Sequence, residues 1–171
     1  RPRARRHSRV LLPTVVQAHN LVGWSGFSGL AEGIDYAPTH LSNLPMRGVI
    51  TNSERDVIGV LAVTELLRGG VTTNLEMEED AELFAPFIES SGIRAFIGFM
   101  VNDVNLDALA SGQTVFDDAV RTQQLSQAIG LAKRWHGRSG GRIQAVMAAN
   151  GLSMSSPALL KGLRAAADDL G

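Results

Sequence analysis

The side chains best suited to chemistry close otherwise apolar runs. His19 and Asn20 follow the aliphatic stretch 10–18. Glu76 and Glu78 follow Val71-Thr72-Thr73-Asn74-Leu75, Asn102 and Asp103 follow 93–101, and Asn150 follows 142–149. Imidazole, carboxylate and carboxamide groups at such positions can bind a metal, polarise a substrate or move a proton. Asn and Asp also serve as turn residues and helix caps, so both readings stay open at each position. His19 stands out, because a histidine closing a buried strand needs a polar partner or a ligand.

Several chemistries are poorly provided for. Zinc hydrolases use three or four His and carboxylate ligands and leave a place for water. The chain has four histidines, at 7, 19, 40 and 136, of which only His19 closes a strand, and it has no HxH, HExxH or HxxE motif. His136 falls at a helix end, where it complements the dipole. The one GxSxG match, Gly137-Arg138-Ser139-Gly140-Gly141, runs from helix into strand, the reverse of a nucleophile elbow, and reads as a turn. Cysteine is absent, and Lys133 and Lys161 fall on solvated helix faces. A GxxGxxG spacing from Gly23 to Gly29 is not a dinucleotide fingerprint, because His19-Asn20 close the strand before it and no helix pattern opens after it.

The elements that must carry these residues alternate. The stretch 10–18 reads as a buried strand with Pro13 at its edge or in a bulge. A long loop at 22–50, rich in Gly, Pro, Ser and Asn, is of a length usually found over binding sites. Ser53-Glu54-Arg55-Asp56 reads as a capping box with Ser53 as N-cap, followed by an apolar helical face of Val57, Val60, Leu61, Thr64 and Leu67 with Leu66 beside it, stopped at Gly69-Gly70. After the strand 71–75, the acidic cluster Glu76, Glu78, Glu79 and Asp80 opens a helix at its positive end, and Pro86 bends or restarts that helix before Ser91-Gly92. Residues 93–101 form a buried strand, and Thr114-Val115-Phe116-Asp117 a second capping box before a long helix to Gly137. Residues 142–149 form the fourth strand, and Ser156-Pro157 supplies an N-cap and N1 proline for the last helix. Strands alternating with helices imply an α/β fold with a parallel sheet, open or part of a barrel, and functional groups gather at its carboxyl-terminal strand ends in either case.

Composition agrees. The 171 residues are 44% apolar and 19% charged, with 16 basic against 17 acidic residues and a net charge of −1. This describes one globular domain over 1–171 without a basic coat for nucleic acid. The basic block at 1–9 reads as a flexible terminus. No apolar run reaches the ~20 residues needed to cross a bilayer, and no signal peptide is evident, so a cytoplasmic location is expected. The chain opens on Arg1 and its last helical pattern runs to Gly171, as in a piece of a longer chain.

Four segments together resemble the deaminase and chlorohydrolase branch of the amidohydrolase superfamily. Leu11-Leu12-Pro13-Thr14-Val15-Val16-Gln17-Ala18-His19-Asn20-Leu21 is similar to its first strand, and Glu65-Leu66-Leu67-Arg68-Gly69-Gly70-Val71-Thr72-Thr73 to its helix and second strand. Gly92-Ile93-Arg94-Ala95-Phe96-Ile97-Gly98 with Asp103 resembles the third strand, and Gly141-Arg142-Ile143 with Ser156-Pro157-Ala158-Leu159-Leu160 the fourth strand and its helix. The resemblance implies a partial (β/α)8 TIM-type barrel of about four βα units. It further implies zinc or iron activating water, and small purine, pyrimidine or triazine-like substrates deaminated hydrolytically at carbon–nitrogen bonds. Of the family's first-strand His pair, His19 carries over as metal ligand and Leu21 replaces the second. Asn150 falls where the adenosine-type deaminases place a substrate-contacting His. With the strand-end residues Glu76 and Asn102, Asn150 completes the expected substrate contacts, and no residue is assigned to catalysis.

Three readings follow. One is an amidohydrolase-type hydrolase, impaired or incomplete in this chain. Another is a non-catalytic pseudoenzyme fragment that associates with another chain through exposed sheet edges. The third is an open flavodoxin-like sheet binding a small anion, which requires helices on both sheet faces.

Overall fold

The computed structural model describes residues 12–30, 33 and 48–171. The basic block at 1–9, His7, His40 and most of the expected 22–50 loop lie outside the described residues. Among the described residues five strands form one parallel sheet: β1 (Val15–Asn20), β2 (Val71–Glu78), β3 (Arg94–Val101), β4 (Ile143–Ala145) and β5 (Ala148–Ala149). The order is β1-β2-β3-β4, with β5 also on β3. The helices are α1 (Asn52–Arg68), α2 (Ala81–Ser91), α3 (Leu106–Ala110), α4 (Asp118–Trp135) and α5 (Pro157–Leu170), with short 3-10 turns at Val22–Phe27 and Leu152–Met154. This is the α/β arrangement of a partial barrel, with about four βα units.

The expected fourth strand is present as two pieces, β4 and β5, interrupted at Val146-Met147. Gly98 faces the interruption: a Cβ there would lie 2.9 Å from the Val146 side chain, so glycine leaves room for the backbone excursion. Val146 N–H still donates to Ile97 O at 3.0 Å, which keeps the excursion on the sheet.

Helices cover one face of the sheet. Ala95 and Ile97 of β3 are buried with Phe84, Ala85 and Ile88 of α2 and Leu131 and Trp135 of α4, while Phe96, between them, is 39% exposed on the other face. A second cluster joins Val101, Ala128, Leu159 and Leu163 under α5. One-sided coverage among the described residues is barrel-like and removes the basis for the flavodoxin-like reading, which needs helices on both faces.

Local signals held where one residue dominates. Ser156 caps α5 by accepting from Leu159 N–H at 3.0 Å, with Pro157 at N1, and Gly92 ends α2 in the left-handed conformation at φ 83°. Ser139 and Gly140 also take positive φ, which makes the GxSxG match a turn, and Ser139 Oγ donates to Glu89. His136 is the C-cap of α4, and its Nδ1 accepts from Ala145 N–H at 3.3 Å, tying the helix to β4.

Five expectations are corrected. The first strand, expected as a buried run over 10–18, is Val15–Asn20 and largely exposed, with Val15 at 51% and Val16 at 61%, because it lies at the edge of the sheet among the described residues. The N-cap of α1 is Thr51 rather than Ser53: Thr51 N–H donates to Glu54 Oε2 at 2.8 Å and its hydroxyl accepts from Glu54 N–H, the complete reciprocal box. Asp117, rather than Thr114, caps α4, because Phe116 is held in a bridge to Val104. Pro86 sits inside an uninterrupted α2. The face of α1 expected in the core is outside: Val57, Val60, Leu61 and Leu67 are exposed, and Gly59, Ala62 and Val63 are buried. A Cβ on Gly59 would lie 2.5 Å from the Phe84 ring, so the small-residue stripe is the one that lets α1 approach α2.

No helix among the described residues is long and apolar enough to cross a membrane.

Candidate functional site

β1 and β2 do not run in simple register. Val15 pairs with Val71 and Val16 with Thr73, so β2 carries an extra residue at Thr72. Gln17 then pairs with Asn74 and Asn20 with Glu76, which puts an extra residue in β1 beside His19. The first bulge resets the alternation of β2, and Asn74, Glu76 and Glu78 turn to the helix side with Val71. Asn20 lies on that side as well, lining a cavity of about 260 Å³ with Ala62 and Leu66 of α1. Its neighbour His19 projects to the opposite, open face and is exposed.

His19 is therefore available to a ligand but stands apart from further donors. Leu21, two residues on, offers only an alkyl side chain. Among the described residues no group of three His, Cys, Asp or Glu side chains could hold a metal ion, and His19 has no hydrogen-bond partner. One imidazole beside a leucine does not fit a divalent metal that needs three or four ligands.

Glu76, expected to touch substrate, is fully buried between sheet and helices. Its Oε1 accepts from Val22 N–H at 2.9 Å, and Asn74 Nδ2 lies 3.4 Å from its Oε2. Glu78 Oε1 accepts from Gly23 N–H at 2.7 Å. Burial first, and then the neighbouring Glu78, push the Glu76 carboxyl up to about 10, so it is neutral at pH 7. The expected substrate contact is corrected accordingly. The glutamates also belong to β2 itself rather than to the first turn of α2, which starts at Ala81.

Asn102 and Asn150 end adjacent strands. Asn150 N–H donates to Val101 O at 2.8 Å, which seats it beside Asn102 on the rim of the sheet. Asn102 N–H is held by Gln124 Oε1 at 3.2 Å. Asn150 Oδ1 accepts from Gly151 N–H, which leaves its Nδ2 to donate to a ligand. A cleft of about 700 Å³ opens at Asn102 between the loops after β2 and β3, lined also by Arg55, Asp80 and Gln124. Arg55 pairs with Asp80 at 2.7 Å across it. Sequence patterns missed Arg55 and Gln124, because polar residues within amphipathic helices read as solvated faces. The register sets Asn20 level with Ile97, five residues before Asn102, a span of about 17 Å along the strand. His19 and the two asparagines are thus not gathered at one point by these strands.

Asp103 is spoken for. Fully buried, it accepts from Ser156 N–H at 2.8 Å and Ser156 Oγ at 2.5 Å, and pairs with Arg121 at 3.3 Å, joining the end of β3 to the starts of α4 and α5.

No family profile matches the chain. A 5'-deoxyadenosine deaminase from Methanobrevibacter smithii is 27% identical over 157 residues, covering 91% of this chain and 34% of its own length. A 5-methylthioadenosine/S-adenosylhomocysteine deaminase from Shouchella clausii is 24% identical over 140 residues, 81% of this chain and 30% of its own. Among solved structures, a triazine hydrolase from Arthobacter aurescens superposes with TM-score 0.74 at 15% identity, over 93% of this chain and 39% of that one. An adenosine deaminase from Xanthomonas campestris with bound zinc gives 0.72 at 22% identity, over 92% and 34%. The chain thus spans about a third of the length of the curated relatives it matches.

Proposed function

We infer that the chain belongs to the deaminase and chlorohydrolase branch of the amidohydrolase superfamily, that it forms the first βα units of a hydrolytic deaminase barrel, and that it is by itself catalytically impaired. The observation that carries this reading is the pairing of an exposed His19 with Leu21 at the end of β1, inside a fold that otherwise follows the relatives over nearly all of its length. The substrate class is an amino-heterocycle of purine, pyrimidine or triazine type. Asn102 and Asn150, side by side on the rim, supply carboxamides that can hydrogen-bond the edge of such a ring. Neither has the basicity to move a proton at neutral pH.

Zinc or iron is the metal that this family implies, and the donor set of the described residues does not provide for its retention. The test is metal analysis of the 171-residue chain after loading with zinc or iron and exhaustive dialysis. The expected result is well below one metal per chain; near-stoichiometric retention overturns the reading of impairment.

A second reading is a non-catalytic fragment that associates through its edges. The exposed stripe of Val57, Val60, Leu61 and Leu67 on α1 and the exposed edge residues Val15 and Val16 favour it.

A further inference from the structure

The geometry points to Glu76 and Glu78 as positioning residues that fix the end of β1 by holding the successive amides of Val22 and Gly23. The inference rests on the reading of His19 as a site residue, because those amides begin three residues after it.

β1 needs such an anchor. Among the described residues it is an edge strand paired on one side only, by β2, and its register with β2 breaks between Gln17 and Asn20, just where His19 stands. Beyond that break Asn20 pairs with Glu76. The chain then leaves the sheet, and Leu21 N-caps a 3-10 turn whose first two amides point into the helix layer. Without acceptors there, both would be buried and unsatisfied. The carboxyls of Glu76 and Glu78 are those acceptors, at 2.9 and 2.7 Å, reaching across 54 and 55 residues of sequence.

The surroundings are built for this contact. Gly23 is buried so close to Glu78 that a Cβ would lie 2.6 Å from its Oε2 and 2.6 Å from the Phe84 ring. Two fully buried glutamates two residues apart on one strand face are costly as hydrophobic filling. They become intelligible as acceptors for a main chain that must be held at a fixed place. Burial and Glu78 keep Glu76 neutral, so the pair carries at most one charge, and a glutamine at 76 reproduces the shape and neutrality of the native side chain.

The test is amide hydrogen exchange and His19 ring resonances of the 171-residue chain, read by NMR for Glu76→Leu, Glu76→Gln and Gly23→Ala. In Glu76→Leu the Val22 and Gly23 amides exchange about tenfold faster, the loss of one buried hydrogen bond, while Ile97 changes less than about twofold. His19 resonances shift in the same variant, and Glu76→Gln restores both readouts. Gly23→Ala, which crowds the Glu78 carboxyl, gives the same local opening and decides the matter if Glu76→Leu does not fold. Equal acceleration at Ile97, or unchanged Val22, Gly23 and His19 signals in the folded variants, overturns the inference. Metal retention does not enter, so failure of the proposed function is read separately.

Discussion

At the scale of single residues, Glu76 shows how chemistry that is visible in a sequence can be assigned to the wrong face. Read by strict alternation, Val71, Thr73 and Leu75 oppose Glu76. The extra residue at Thr72 breaks that parity and sends Glu76 and Glu78 to the helix side with Val71. No glycine or proline marks the bulge, so its position is set by pairing with β1, which no local window contains. His19 is conspicuous in the sequence as an imidazole at the close of an aliphatic run, and the structure sets it exposed in β1. The buried glutamate pair has a consequence for stability. The Glu76 carboxyl is raised from 4.5 to about 10 in the folded chain, so between those limits the folded chain holds a proton that the unfolded chain has released. Its stabilising contribution is complete below 4.5 and is lost as pH rises toward 10. Thermal melts from pH 5 to pH 9 should therefore show Tm falling with pH, with a flatter profile in Glu76→Gln. Parallel profiles for the two proteins would refute the assignment.

At the scale of elements, single-residue signals were read correctly where no competitor stood nearby, as with Ser156-Pro157 and Gly92. They went wrong where two candidates lay within three residues. Thr51 and Ser53 both precede helical sequence, and Glu54 completes the reciprocal box only with Thr51. Thr51→Ala should cost about 1 kcal/mol in urea unfolding, and Ser53→Ala less than about 0.5 kcal/mol; a larger loss at Ser53 would reverse the assignment. α1 carries two stripes at helical spacing. Periodicity identified the larger side chains as core, whereas packing chose Gly59, Ala62 and Val63, because only small residues let the helix come up against Phe84. A hydrophobic pattern reveals that a face is apolar, and the neighbouring element decides which face is used.

At the scale of the molecule, parallel order was legible in the alternation of strands and helices, while one-sided helix coverage was not, since an open sheet and a barrel share that alternation, and neither was the division of the last strand around Val146, for which Gly98 on β3 creates the room. The stripe left outside gives the chain an adhesive flank: Val57 is 68% exposed and Leu61 57%. Val57→Lys with Leu61→Lys should reduce concentration-dependent association in sedimentation velocity and leave Tm within about 2 °C, because exposed apolar side chains contribute little to the fold. Unchanged association would place the contact elsewhere. The network at Asp103 bears on how the chain can be divided. Its carboxylate draws donors from Arg121 and from both the amide and hydroxyl of Ser156, so β3, α4 and the start of α5 are bound at one buried point. An excision ending before Ser156 would strand a desolvated carboxylate beside a single arginine. The smallest portion that keeps this charge balanced therefore extends through the first turn of α5, and the fourth βα unit is inseparable from the third.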